Sequence, residues 1–178
     1  LLIREAIREF LQTEAGPNSV RRADGGIDRD LWRKFCDLGW SGLCLSVATG
    51  GQGMSLIYMG ILFEELGRHI APLPAHGTLI AALLLDRAAT SVDHQAMVSE
   101  IAAGRHLVCL GLSDLSDHST YSERRLVNIQ SEGGSISLNG TVRFVDGADV
   151  ADSVLVSFRL DDGSSCLALI DRNASGIV

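Results

Sequence analysis

Apolar residues along the first hundred positions recur at helical spacing. In "LLIREAIREFLQTEA", Leu2, Ile3, Ala6, Ile7, Phe10 and Leu11 fall at three- and four-residue steps with charges opposite, and "GPN" ends the run. "DRDLWRKFCDLGW" repeats the pattern through Leu31, Trp32, Phe35 and Leu38, with an aspartate to open it and Gly39 to stop it. Ser55 stands as an N-cap before "SLIYMGILFEELGRH", which is apolar almost all round until Glu64 and Glu65, the mark of a central helix. "APLP" interrupts, "AHGTLIAALLLDRA" resumes, and "SVDHQAMVSEIAAG" runs from a cap at Ser91 to a stop at Gly104. From Arg105 the period becomes that of strands. "HLVCLGLS", "RRLVNIQ", "SISLNG", "TVRFV", "DSVLVSF" and "SCLALID" are short runs separated by turn signals such as "EGGS" and "DDGS". The pattern predicts an all-α domain over 1–104, a helical bundle, followed by a small antiparallel β-barrel or sandwich domain over 105–178.

Composition narrows the class. Among 178 residues, 46% are apolar and 21% charged, enough for a packed core. A formal charge of -7, with basic residues scattered, argues against a nucleic-acid partner, because binding phosphates needs clustered Lys and Arg. No run approaches the roughly 18 apolar residues of a membrane span, and no secretory leader opens the chain. Cys36, Cys44, Cys109 and Cys166 lack CxxC spacing and sit in apolar runs, so they read as buried free thiols of a cytoplasmic protein. The chain opens at Leu1 without a methionine and stops at "SGIV" after a strand-like run, so both ends are expected to continue.

Few residues announce chemistry by spacing. "TGGQGMS", Thr49 to Ser55, puts three glycines before a helix, where exposed amides can hold an anion. It matches neither dinucleotide nor phosphate-loop spacing, so a tight interhelical turn is the favoured reading. Glu64 and Glu65 point about 100° apart on a helix and cannot both face one substrate; a solvated or capping role is expected. The histidines His69, His76, His94, His106 and His118 have no metal-ligand spacing, and no GxSxG elbow exists. After "HLVCLGL" comes a polar run through Ser113, Asp114, Ser116, Asp117, His118, Ser119 and Thr120, placed as a ligand-recognising loop or a solvated connection.

Five phrases in order carry a resemblance: "LWRKFCDLGWSGLCLS" followed by "GGQGMS", "EELGRHIAPLP", "AAGRHLVCLGLSD" and "LNGTVRFVDGADVADSVLVSFR". Together they resemble the front two thirds of the acyl-CoA dehydrogenase family over nearly the whole chain. The resemblance implies a flavoprotein with N-terminal helices, a middle β domain and a C-terminal helical domain. FAD then lies between the latter two, and an acyl-CoA thioester between flavin and helices. It implies α,β-desaturation: a carboxylate removes the α proton while the β hydrogen leaves as hydride to the flavin. That base is expected in the C-terminal domain, which is absent from these residues, so no catalytic residue is assigned and this chain alone is expected to be inactive.

The family's flavin-wall pattern, approximately L-T/S-E-P-G-A-G-S-D, lies on Leu112 to Thr120. Leu112, Ser113 and Ser119 match, Asp114 stands in for Glu, and Leu115, Ser116, Asp117, His118 and Thr120 depart. The family's aromatic-apolar-hydroxyl triplet maps to Phe144, Val145 and Asp146. A carboxylate at Asp146 accepts hydrogen bonds where a hydroxyl would donate one, so it either turns aside or weakens the flavin site. Asp149 and Asp152 read as turn and strand-start residues. Tyr58 and Leu62 are the expected substrate-wall residues, and no metal is expected. The departures resemble the heteromeric subunits of bacterial steroid or side-chain catabolism, in homo- or hetero-oligomers passing electrons to an electron-transfer flavoprotein or similar acceptor. Two alternatives stand beside this: a non-catalytic, flavin-poor partner subunit, or an acyl-CoA oxidase or flavin hydroxylase on the same scaffold.

Overall fold

The computed structural model describes residues 2–23, 26–88, 92–112, 130–132, 135–143, 145–159 and 164–177. Two compact units divide the chain, Leu1–Val108 and Cys109–Val178.

In the first unit the helices are α1 (Leu2–Glu14), α2 (Pro17–Arg22), α3 (Arg29–Asp37), α4 (Leu56–Arg68), α5 (Ala75–Ala88) and α6 (Val92–Ala102), with 3-10 turns at Trp40–Gly42 and Val47–Thr49. The short α2 departs from the sequence reading, which ended helical structure at "GPN". Pro17 instead occupies the first turn, where its fixed φ suits a helix and its missing N–H costs nothing. Asp28 caps α3, accepting from the amides of Asp30 and Leu31 at 3.1 Å each. It also takes Ser19 Oγ and Arg22 Nη2, both at 2.8 Å, so one buried carboxylate ties α2 to α3. Burial pushes its pKa up, but the Leu31 amide, Ser19 and Arg22 outweigh that and hold it below the usual value.

Ile7 and Leu11 of α1, Leu31 and Phe35 of α3, Leu62 of α4, Leu79 of α5 and Ile101 of α6 are packed out of water. Phe35 stacks on Trp32 with ring centroids 5.4 Å apart and meets Trp40 edge-on at 5.6 Å. Gly104 ends α6 as predicted. It has φ +72, and a Cβ there would fall 2.4 Å from Cys36 Sγ, so only glycine fits. Its carbonyl receives the Trp32 indole N–H at 3.1 Å.

The second unit holds β4 (Ser153–Arg159) hydrogen-bonded to β5 (Ser165–Asp171), with β1 (Val108–Gly111) on the other side of β4. The β4–β5 ladder is antiparallel, with Leu155 opposite Leu169 and Ser153 opposite Asp171. A separate antiparallel ladder joins β2 (Gln130–Glu132) to β3 (Ser135–Ser137). Val156 and Phe158 form a core against Leu138, Val142, Val154, Cys166, Ala168 and Ile170. This is the predicted class, a helical unit followed by a small β unit. Two runs differ. "TVRFV" forms no strand where it is described, Thr141–Arg143 and Val145; it leads into the turn over 146–150, and Val142 packs against the core of Val156 and Phe158. Of "RRLVNIQ", only Gln130 lies among the described residues. The expected cap at Ser91 is also outside them.

Candidate functional site

The residues expected to face a flavin belong to the second unit. Leu112 follows directly on β1 and is half-buried. Val145 is half-buried and Asp146 exposed, at the start of a turn over 146–150. Ser113, Ser119 and Phe144 lie outside the described residues. Gly111 brings these segments together: a Cβ there would come within 3.0 Å of Val156, 3.2 Å of Val154 and 3.3 Å of Val142. The end of β1 therefore runs close beside both β4 and the segment leading into Asp146.

That turn is closed by its own backbone, with Val150 N and Ala151 N both donating to Gly147 O, at 3.2 and 3.0 Å. Arg172 donates from its side chain to the Asp149 carbonyl and from its amide to the Asp152 carbonyl at 3.0 Å. Asp149 and Asp152 thus hold the chain at a turn and a strand start, with their carboxylates at the surface. Leu112 and Val145 suit an apolar wall for a planar aromatic group. Asp146, an acceptor exposed at the turn, does not suit donation to a flavin nitrogen.

In the first unit, Tyr58 is half-buried on α4, and Leu62, one helical turn on, is only 1% exposed and belongs to the core. The loop before α4 is a tight turn, as expected. Gly51 N donates to Ser46 O at 2.8 Å, Gln52 N to Gly42 O at 3.0 Å, Gly53 N to Leu45 O at 2.8 Å and Met54 N to Leu43 O at 3.0 Å. Those four amides are spent inside the loop. Asp86 of α5 fastens the loop from behind, accepting from Ser46 N at 2.9 Å, Ser46 Oγ at 2.8 Å and Thr49 Oγ1 at 2.6 Å. Burial raises the Asp86 pKa, but the Thr49 and Ser46 bonds more than offset it and keep it below normal. Val47, Met54, Leu56 and Ile57 are exposed around this end of α4.

Glu65 overturns its expected role. It is neither solvated nor a cap: it is 0% exposed, clamped by Arg4 Nη1 at 2.9 Å and by Arg8 through Nη2 at 2.8 Å and Nε at 3.0 Å. The cause is the packing of α1 on α4, which replaces water around the carboxylate with two guanidinium groups. Hydrogen bonding from Arg8, then from Arg4, outweighs burial and lowers its pKa to about 2. Glu64 remains partly exposed, paired with Arg68 at 2.8 Å and Arg4 at 2.7 Å. Two arginines four residues apart on an otherwise amphipathic α1 were the available signal.

All four cysteines are free, with Cys36 and Cys109 buried and Cys44 and Cys166 half-buried. Among the described residues no three His, Cys, Asp or Glu side chains gather as a metal site, and no helix is long and apolar enough to cross a membrane.

A helical unit leading through "AAGRHLVCLG" into a small strand unit is the arrangement of the two front domains of the acyl-CoA dehydrogenase fold. The chain belongs to the acyl-CoA dehydrogenase family: the profile of the acyl-CoA dehydrogenase N-terminal domain matches residues 1–105. Acyl-CoA dehydrogenase IpdE2 of Mycobacterium tuberculosis is 37% identical over 115 residues, covering 62% of this chain and 36% of that protein. Among solved structures, a variant of the Tcur3481-Tcur3483 steroid ACAD superposes with a TM-score of 0.87 at 26% identity, over 98% of this chain and 48% of that one. A glutaryl-CoA dehydrogenase from Mycobacterium smegmatis in complex with FADH2 superposes with a TM-score of 0.83 at 21% identity, over 98% and 45%. The chain thus spans about a third of the curated relative and about half of each solved chain.

Proposed function

We propose that this chain is the front half of one subunit of an FAD-dependent, two-component acyl-CoA dehydrogenase that desaturates an acyl-CoA thioester between its α and β carbons. The observation that carries this reading is the family match over the helical unit together with the likeness, along 98% of the chain, to the Tcur3481-Tcur3483 steroid ACAD. That neighbour also supports a steroid-derived or similarly bulky acyl group and an assembly of two unlike chains. The glutaryl-CoA dehydrogenase with FADH2 supports FAD as the cofactor.

In this reading the strand unit from Arg105 holds the cofactor, and the helical unit through Gly104 holds the acyl chain. Bound FAD supplies a hydride acceptor. Leu112, Phe144 and Val145 would hold the apolar ring system, and the hydroxyls of Ser113 and Ser119 would hold its polar oxygens. Tyr58 stands at the acyl wall with Leu62 behind it as core support. Neither Glu64 nor Glu65 is the base. Guanidinium partners hold both in the ionised form below the usual carboxylate range, which makes them weak proton acceptors. The α proton is therefore taken by a carboxylate outside these residues, and electrons leave to an electron-transfer flavoprotein or similar acceptor in the cytoplasm.

Asp146 favours one second reading, a subunit that completes the assembly without holding flavin. An exposed carboxylate at this turn repels the anionic reduced ring instead of donating to it. The visible spectrum of the full-length protein with its companion chain separates the two. A yellow complex bleached by acyl-CoA supports the dehydrogenase. A complex that is colourless, or yellow only through the companion's own site, supports the second reading. Peroxide formation on bleaching would point to an oxidase.

A further inference from the structure

Strand β5 ends at Asp171, opposite Ser153 of β4, and the backbone pairing runs one step further, with Arg172 N donating to Asp152 O at 3.0 Å. The chain then bends back at once. Asn173 N donates to Asp171 Oδ1 at 2.7 Å and Ala174 N to Asp171 O at 3.0 Å, so the backbone of Arg172 is fixed between a strand end and a closed turn. Its guanidinium reaches from there to the turn over 146–150, where Nη1 donates to the carbonyl of Asp149. One residue thus binds that segment twice, through its amide at Asp152 and its side chain at Asp149.

The segment it holds is rich in negative charge. Asp146, Asp149 and Asp152 are all exposed, and Arg143 is the only basic residue from Leu138 to Asp152. The Cys109 thiol, buried in β1, registers both signs: burial raises its pKa most, its own amide lowers it, then the Arg172 cation lowers it and the Asp146 carboxylate raises it. Cation and carboxylate therefore lie within electrostatic reach of one point in β1, the strand that ends beside the turn. Among the described residues, no carboxylate is bonded to the Arg172 guanidinium, in contrast to Arg4, Arg8, Arg22, Arg68 and Arg105 of the helical unit. Its charge is uncommitted.

We propose that Arg172 is a positioning residue for the flavin site of the dehydrogenase reading, on which this rests: its guanidinium fixes the turn that carries Asp146 and offsets the charge of that carboxylate. The need is chemical. Asp146 accepts hydrogen bonds where a hydroxyl would donate one, and an anionic reduced ring beside it is repelled. While water reaches the turn, the Arg172 charge is screened and does little. Once a ring system covers the site, water leaves and the attraction between cation and carboxylate grows. Arg172 acts through the turn and through Asp146, and touches no reacting atom itself.

The test is the dissociation constant for FAD, read by fluorescence titration of the full-length protein with its companion chain. Arg172→Met is expected to weaken FAD about tenfold, the size of one lost charge-assisted bond. Arg172→Lys, which keeps a cation and a donor, is expected to stay within about threefold. In an Asp146→Ser background, Arg172→Met is expected to cost only about threefold, because less charge is left to offset. A loss of equal size in both backgrounds marks a structural clamp alone and overturns the proposal. So does a Lys variant as weak as the Met variant, a comparison that holds even where Arg172→Met unsettles the fold. Wild-type affinity in Arg172→Met also overturns it, while the flavin reading stands. If the wild-type complex takes up no FAD, or only at the companion's own site, the flavin reading falls and the proposal with it.

Discussion

Gly51 offers the sharpest check on how the loop before α4 is built. A Cβ at this position would lie 2.3 Å from Leu45 O, 2.4 Å from Leu45 C and 2.6 Å from Leu45 Cβ, where ordinary contact begins near 3.4 Å. Two of these three atoms are backbone, so no rotamer change relieves the overlap and one strand of the loop must move by about 1 Å. That shift strains the bonds Gly51 N–Ser46 O and Gly53 N–Leu45 O, both 2.8 Å long. Overpacking of this kind costs about 1–3 kcal/mol, and weakening two hydrogen bonds adds about 1 kcal/mol. Gly51→Ala is therefore expected to cost about 2–4 kcal/mol, which for a chain of this length lowers the melting midpoint by roughly 5–15 °C. Gly60→Ala is the control, since nothing lies within 4 Å of a Cβ there, in the middle of α4. It is expected to gain up to about 1 kcal/mol, because alanine is the better helix former. Calorimetry of both variants decides the matter: a Gly51→Ala protein melting within a degree of the wild type would refute the close approach to Leu45.

Two further outcomes follow from the charged and thiol groups. Glu65 has a folded pKa of about 2 against an ordinary 4.5, so its contribution to stability is full above about pH 4.5 and is lost as pH falls toward 2. Glu65→Gln is expected to unfold at lower urea than the wild type at pH 7, with the gap narrowing by pH 3; an unchanged gap would exclude the clamp as its source. Burial pushes the Cys36 thiol up to about 11, so at pH 8 a maleimide is expected to label Cys44 or Cys166 in the native protein while sparing Cys36, as peptide mapping would show.

The helical half was legible because its apolar stripes are long and its stops are chemical. Asp28 before α3, Gly39 after it and Gly104 after α6 each do locally what their residue type suggests. The strand half was legible in the runs that became β1, β3, β4 and β5, most fully where two apolar runs face each other in β4 and β5. "TVRFV" has strand composition, yet its described residues pair with no ladder and Val142 serves as packing alone. Pro17 was misread because a proline that stops one helix also starts another. Glu65 escaped detection because its partners lie about sixty residues away on α1, a pairing that periodicity cannot show. The assignment of Leu112, Val145 and Asp146 to a flavin wall came from motif likeness alone. Leu112 and Val145 are half-buried, and Asp146 faces solvent as its charge requires.

The arginine pair on α1 gives that helix an importance beyond its apolar stripe. Arg4 and Arg8 are the principal counter-charge for an anion that water does not reach. Trimming the first eight residues removes both guanidinium groups and lets water back to Glu65, so its pKa is expected to rise toward the ordinary 4.5 and the loss of stability it causes as pH falls from 4.5 toward 2 is expected to shrink.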